Sequence, residues 1–328
     1  MKITAEPITI AMQTPFRISR GSRTECHVVR VYIEHNGKQA QGECTPYPRY
    51  GESSESVLAQ IQQASSSLET AFERGMTGPE ELRDHLQSSL TGGAARNAID
   101  CALWDYQAQQ NDQIFPNSLF ELPKQIVTAM TVSIGAPEAM ATQARDYVAN
   151  GAKLLKVKLD GEQVVERVRA VREAAPRAKI VLDANEAWTG LNLEELFNQL
   201  AEFDIAMIEQ PLPQQHDASL AHIKHPIPLC ADESCHTTSQ LSSLVGKYEM
   251  VNIKLDKTGG LTEALALAEE AKKLGFTLMS GCMLGTSLAM RAALPIAVQS
   301  EIVDLDGPVL LGKDVSPALN YLDGMIIL

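Results

Sequence analysis

Along the second half of the chain, short apolar runs end one after another in a charged or polar residue: KLLKVKLD, KIVLDAN, AMIEQP, PLCADES, MVNIKLD, FTLMSGC and IVDLDGP. Runs of this kind read as strands, and the stretches between them, such as EQVVERVRAVREAAP, LEELFNQLAEFD and LTEALALAEEAKKLG, read as helices. The intervals are even: 25 residues from Lys158 to Asp183, 26 on to Glu209, 23 to Asp232 and 22 to Lys254. Each is close to one strand-plus-helix unit of a (β/α) barrel, about 250 residues per eight units. IVTAMTVSI adds a first strand, and PEAMATQARDYVANGA, opening on Pro137, a first helix. Strand alternating with helix argues for a parallel sheet, and eight repeats argue for closure. The expectation is an α/β fold with a (β/α)7β TIM-type barrel over residues 123–312, each strand followed by a helical segment. A doubly wound open sheet is the rival; it normally has fewer strands and often a Gly-rich turn after the first, which is missing here.

Residues 1–122 follow a different rhythm. ITAEPITI and HVVRVYIEHNGKQAQGECTPY alternate apolar and polar residues, and Asn36-Gly37 is a strong hairpin signal. Three helical stretches follow, the second opening on Pro79 and the third carrying an apolar face of Ala95, Ile99, Ala102, Leu103 and Tyr106. These features predict an α+β domain with a three-stranded sheet under a helical layer. After residue 312 the barrel pattern stops, and the tail, 313–328, is expected to return to this first domain.

Composition narrows the function. A formal charge of −13 argues against nucleic acid and anionic membrane as partners, and 45% hydrophobic with 21% charged residues is ordinary for a soluble globular chain. No run of 18 apolar residues is present, and MKITAEPITI lacks the pattern of a secretory signal, so a cytoplasmic location is expected. The six cysteines are scattered without a CxxC pair, which favours reduced thiols. The seven histidines show no ligand spacing, and His216, His222, His225 and His236 read as surface residues. KTGG at 257–260 reads as a turn before a helix.

Strands of a barrel deliver their C-terminal ends to one mouth. Asp183, Glu209 and Asp232 would meet there, at three successive strand ends. One such carboxylate commonly caps the next helix; three in register, between lysines, point to a metal. Hard oxygen donors without a nearby His or Cys suit Mg²⁺ or Mn²⁺ better than zinc. Lys156 and Lys158 lie two apart on one strand, so both point into the barrel, and Lys254 would face Lys158 across the site. A second ammonium at Lys156 and a divalent cation would both disfavour the charge on Lys158, making it a better base. Removal of a proton α to a carboxylate needs this arrangement, because the developing enolate charge must be taken up.

The chain resembles the enolase superfamily in its muconate-lactonising-like branch. The K-x-K of LLKVKLD, the D-x-N of VLDAN, the E of IEQP, the DE of ADES and the K of NIKLDKTGG all match. GECTPYPRYGES and GAARNAIDCALWD extend the resemblance into the first domain, which by that resemblance caps the barrel. The family's pairing of a Lys or His base with Mg²⁺ is established chemistry. By resemblance, Asp183, Glu209 and Asp232 are the ligands and Lys158 and Lys254 the bases, with Lys156 assisting.

Substrate is harder to read, since the branch also holds lactonising enzymes, o-succinylbenzoate synthases and N-acylamino-acid racemases. Asp304 and Asp306 in DLDGP discriminate, because the superfamily's dipeptide epimerases use such a D-x-D to hold a dipeptide's ammonium group. The resemblance therefore implies epimerisation of L-Ala-D-Glu and L-Ala-L-Glu by two-base 1,1-proton transfer, in murein peptide recycling. A glutamyl side chain needs a cation, and the loop FRISRGSR offers Arg17, Arg20 and Arg23, with Arg20 or Arg23 the candidate. Tyr47, Tyr50, Thr131, Ser133, Ser280, Cys282 and Met283 are expected to line the pocket. A lysine Schiff-base aldolase is the alternative from another class, and it leaves the three carboxylates unexplained. Self-association is left open.

Overall fold

The computed structural model describes residues 1–328. Its N-terminal alternation folds as a meander of β1 (Lys2–Ile18), β2 (Gly21–His35) and β3 (Lys38–Cys44), antiparallel throughout. Asn36 (φ 50°) and Gly37 (φ 77°) make the β2–β3 turn, both in the left-handed region such a turn requires. Helices α1 (Ser54–Glu73), α2 (Pro79–Ser89) and α3 (Ala94–Gln110) cover one face of this sheet. The apolar face read from α3 is buried against Val29, Val31, Ile33 and Ala40 of the strands.

IVTAMTVSI is not one strand. It divides into β4 (Gln125–Val127) and β5 (Met130–Val132), and only β5 belongs to the barrel. The barrel continues with α4 (Pro137–Ala149), β6 (Leu154–Lys158), α5 (Val164–Ala174), β7 (Lys179–Asp183), α6 (Leu193–Leu200), β8 (Ile205–Glu209) and β9 (Leu229–Ala231). It ends with β10 (Met250–Ile253), α7 (Leu255–Thr258), α8 (Leu261–Lys273), β11 (Thr277–Gly281), α9 (Ser287–Ala297), β12 (Ile302–Asp304) and α10 (Gly307–Leu310). Neighbouring strands from β5 to β12 pair in sequence order and in parallel. The ring closes where Ala129 N–H donates to Val303 O at 2.8 Å and Leu305 N–H to Thr128 Oγ1 at 3.0 Å. Two crossovers lack the expected α-helix: β8 and β9 are followed only by 3₁₀ turns, Asp217–His222 and Thr238–Ser243.

The tail also differs from expectation. β13 (Asn320–Leu322) and β14 (Met325–Ile327) pair with β4 in a small antiparallel sheet, not with the first domain's sheet. Contact with the first domain is made just before the tail, where Gly312 N–H donates to Ala11 O at 2.8 Å.

Period-two alternation stacks the barrel interior in layers. Ala129, Leu154, Val181, Met207, Cys230, Met250, Met279 and Ile302 fill the foot. Two residues further along each strand the same face carries Thr131, Lys156, Asp183, Glu209, Asp232, Asn252, Gly281 and Asp304. One strand system thus supplies an apolar plug and, directly above it, a charged floor.

Candidate active site

Register fixes the height of the charged groups: Lys158 pairs with Asp183 and Asp183 with Glu209 across β6, β7 and β8, while Asp232 lies one residue beyond β9. Backbone strain marks the same level. Asn185 (φ 43°), Glu186 (φ 68°) and Gln210 (φ 38°) are left-handed without being glycine, a conformation that persists only where surroundings enforce it. They do so here: Asn185 N–H donates to Asp183 Oδ1 at 2.9 Å, and Gln210 Oε1 accepts from Asp232 N–H at 2.8 Å.

Lysines sit on all three carboxylates. Lys158 Nζ is 2.6 Å from Asp183 Oδ2, and Lys254 Nζ is 2.7 Å from Asp232 Oδ2. Lys156 Nζ lies 3.2 Å from Asp183, 2.7 Å from Glu209 and 2.8 Å from Asp304. β6 and β10 are four strands apart in a ring of eight, so Lys158 and Lys254 occupy opposite walls. Burial alone would strip the charge from Lys156 and Lys254, but the surrounding carboxylates outweigh it and hold both ammoniums above the ordinary lysine range. Lys156 is therefore the counter-ion of Asp304, Glu209 and Asp183. Against their own burial, Asp183 is held low by Lys158 and Lys156, and Asp232 by Lys254 and Lys257. Glu209 moves the other way, raised by burial and by Asp183.

Asp183, Glu209 and Asp232 suit a hard divalent cation. All are fully buried, and Glu209 Oε2 and Asp232 Oδ1 accept no aligned hydrogen bond, although Lys156 and Lys257 lie within ion-pair reach. Drawn toward the lysines, the carboxylates do not converge as a closed three-ligand cage. Their fit to an ion rests on donor chemistry and on these under-bonded oxygens.

Above this floor is a cavity of about 750 Å³, its open mouth included. Lys156, Lys158, Asp232 and Lys254 line it from the barrel, with Thr131, Cys282, Met283, Asp304 and Asp306. Asp304 ends β12, and its Oδ1 has no hydrogen-bond partner. Asp306 lies beyond the strand, where its Oδ2 accepts from Thr131 N–H at 2.8 Å. Burial and Asp304 push its carboxyl up to about 7.

Two arms of the first domain close the mouth. FRISRGSR is not a loop but the tip of the β1–β2 hairpin, with Phe16 opposite Arg23 and Arg17 opposite Ser22. Arg20, at the tip, is taken up by the protein: 2.9 Å from Glu233 Oε1, 2.9 Å from Tyr47 Oη, and 3.1 Å from Asn185 O. Arg23 lines the cavity 5.1 Å from the Tyr47 ring centre and pairs with no carboxylate; Arg17 does not line it. The second arm brings Tyr47 and Tyr50 to the cavity wall. There Arg49 meets Glu186 at 2.8 Å, and Tyr50 packs edge-on against His236 at 4.5 Å.

Some expectations fail. Ser280 does not line the cavity: Met279 points into the barrel, so its neighbour faces outward. Ser133 also lies outside, its N–H donating to the Gln143 side chain at 3.1 Å. His225 and His236 are half-buried rather than on the surface, and burial lowers His236 to about 4. Asn185 and Glu233 lie within the VLDAN and ADES motifs, but the sequence reading gave neither a role of its own. It placed Lys257 in a turn, although the ammonium is buried against Asp232, and missed Asn252. Asn252 had a signal, since it precedes Lys254 by two and must share its inward face.

Known proteins match both halves. Residues 2–117 fit the mandelate racemase / muconate lactonizing enzyme N-terminal domain, and residues 139–328 the enolase C-terminal domain-like family. The chain belongs to the enolase superfamily. Within this superfamily it is 53% identical to the L-Ala-D/L-Glu epimerase of Escherichia coli K12, covering 95% of each chain. An enolase family member from Agrobacterium tumefaciens, with bound sodium and L-Ala-L-Glu, superposes with a TM-score of 0.92 at 44% identity, over 99% of this chain and 97% of that one. A dipeptide epimerase from Enterococcus faecalis V583, complexed with Mg and L-Leu-L-Tyr, gives 0.91 at 27%, over 100% and 96%.

Proposed function

We propose that this enolase-superfamily chain is an isomerase, a Mg²⁺-dependent dipeptide epimerase that interconverts L-Ala-D-Glu and L-Ala-L-Glu. The observation that carries this reading is the pair Lys158 and Lys254 on opposite barrel walls, flanking three buried carboxylates. A glutamyl α-carbon held between them meets one Nζ on each face. The amine on one face takes the α-proton as the C–H bond breaks, and the ammonium on the other donates a proton to the opposite face. No atoms are gained or lost, and configuration inverts. When bound at Asp183, Glu209 and Asp232, the ion would supply positive charge to the substrate carboxylate and offset the carboxylate field that holds the Lys254 ammonium. Mn²⁺, with the same preference for oxygen ligands, is the expected substitute.

Specificity follows from the free groups lining the cavity. Asp306 and the unpartnered oxygen of Asp304 suit the dipeptide's ammonium. Arg23, unlike Arg20, has no carboxylate partner and suits the glutamyl side chain. L-Ala-D-Glu is a fragment of bacterial cell-wall peptide, so we assign the reaction to murein peptide recycling in the cytoplasm; no helix is long and apolar enough to cross a membrane. Chiral chromatography after incubation of L-Ala-D-Glu with protein and Mg²⁺ tests the reading. L-Ala-L-Glu should accumulate toward parity, and unchanged substrate would reject the assignment.

A further inference from the structure

Asn252 sits in the charged floor with no part in the proton transfer. It is fully buried on β10, and its Nδ2 crosses the barrel interior to donate to Glu209 Oε1 at 2.7 Å. β9 lies between the two strands, so this is contact through the interior rather than along the sheet. The bond engages one oxygen of Glu209 and leaves Oε2 without an aligned donor. Glu209 is also the one ligand candidate of the three that no ammonium grips with an aligned hydrogen bond; Lys158 and Lys254 make such bonds to Asp183 and Asp232.

Gly281, on β11, makes room for this amide. A Cβ there would lie 2.6 Å from Asn252 Oδ1 and 2.7 Å from Nδ2, closer than real contacts allow. Any larger residue must displace the amide or the strand. The glycine is not needed for its backbone, which is extended and paired with Asp304. Its missing side chain is what the amide packs against.

We propose that Asn252 is a positioning residue for Glu209, fixing which carboxylate oxygen is presented to a divalent ion, and that Gly281 exists to admit its amide. This rests on the reading of Glu209 as an ion ligand. Hydrogen bonds behind metal ligands set ligand orientation, and losing one typically costs about 10–100-fold in affinity.

Mn²⁺ binding to the full chain, followed by electron paramagnetic resonance of the free ion, tests this without turnover. Asn252→Ala should weaken binding by about 10–100-fold. Gly281→Ala, which leaves Asn252 in the sequence, should weaken it as well, and the double variant should bind no worse than Asn252→Ala alone, because the amide that clashes is gone. Raising Mg²⁺ should restore turnover of both single variants, which a general loss of structure would not allow. If Asn252→Ala fails to fold, Gly281→Ala decides. Wild-type affinity in either single variant overturns the inference while leaving the metal site standing. Absence of Mn²⁺ binding by the wild-type protein overturns the metal reading itself.

Discussion

Replacing Asp306 by Asn isolates the group that separates a dipeptide from other substrates of this fold. Asp306 is 4% exposed, and its neighbour Asp304 already balances Lys156 at 2.8 Å. The charge available to a substrate ammonium is therefore that of Asp306, helped by the free oxygen of Asp304. With its carboxyl pushed up to about 7, Asp306 is fully ionised only above neutral pH or with the ammonium beside it. An amide at 306 can still accept the Thr131 N–H bond, so the local fold should survive. Breaking one side of a buried charge pair costs about 3–5 kcal/mol. At 1.4 kcal/mol per factor of ten, kcat/KM for L-Ala-D-Glu should fall by roughly 10²- to 4 × 10³-fold. The ammonium does not change during proton transfer, so most of this loss should appear in KM with kcat largely kept. The assay is initial rate against concentration, for the dipeptide and for the same dipeptide acetylated on its amino group. The parent should prefer the free amine by a similar factor, and Asp306→Asn should lose most of that preference. Equal losses on both substrates, or unchanged kcat/KM, would refute the assignment.

Three further outcomes are expected. Arg23→Met should raise KM for L-Ala-D-Glu by about 10-fold or more, as loss of a charge-assisted pair of about 1.5–3 kcal/mol requires, while sparing dipeptides with an apolar second residue; a uniform loss across dipeptides would contradict it. Asp256, buried and accepting from Thr45 N–H and Asn97, is pushed up to about 7 by burial, with Glu52 and Glu43 adding. Its folded pKa lies above the unfolded value, so its contribution is fully present below about pH 4 and is lost as pH rises toward 7. Asp256→Asn should thus gain thermal stability relative to the parent as pH rises across that window, and a pH-independent difference would be the wrong result. Finally, Mg²⁺ at about 100 times its Kd should stabilise the EDTA-treated protein by about 2.7 kcal/mol, seen as a raised Tm; an unmoved Tm would contradict binding to the folded state.

Much of this architecture was legible because barrel strands must be apolar on their buried faces and carry function where they end. The K-x-K of β6 could be oriented from period two alone, and the carboxylates from the even spacing of strand ends. The division of IVTAMTVSI was not legible, since two short apolar strands with different partners look like one. The 3₁₀ crossovers after β8 and β9 and the pairing of the tail with β4 depend on packing that leaves little local trace. Choosing between Arg20 and Arg23 required knowing that Glu233 and Glu186, in the loops after β9 and β7, engage the former. Parity, applied strictly, would have excluded Ser280 and admitted Asn252.

Proton NMR in D₂O, on L-Ala-D-Glu and L-Ala-L-Glu separately, tests the two-base arrangement most directly when run with the parent, Lys158→Ala and Lys254→Ala. The parent should exchange the glutamyl α-proton of either isomer and generate the other. Each lysine variant should fail to epimerise yet still exchange the α-proton of one isomer, a different one for each variant. Parental epimerisation by Lys254→Ala, or exchange of the same isomer by both variants, would contradict a base on each face.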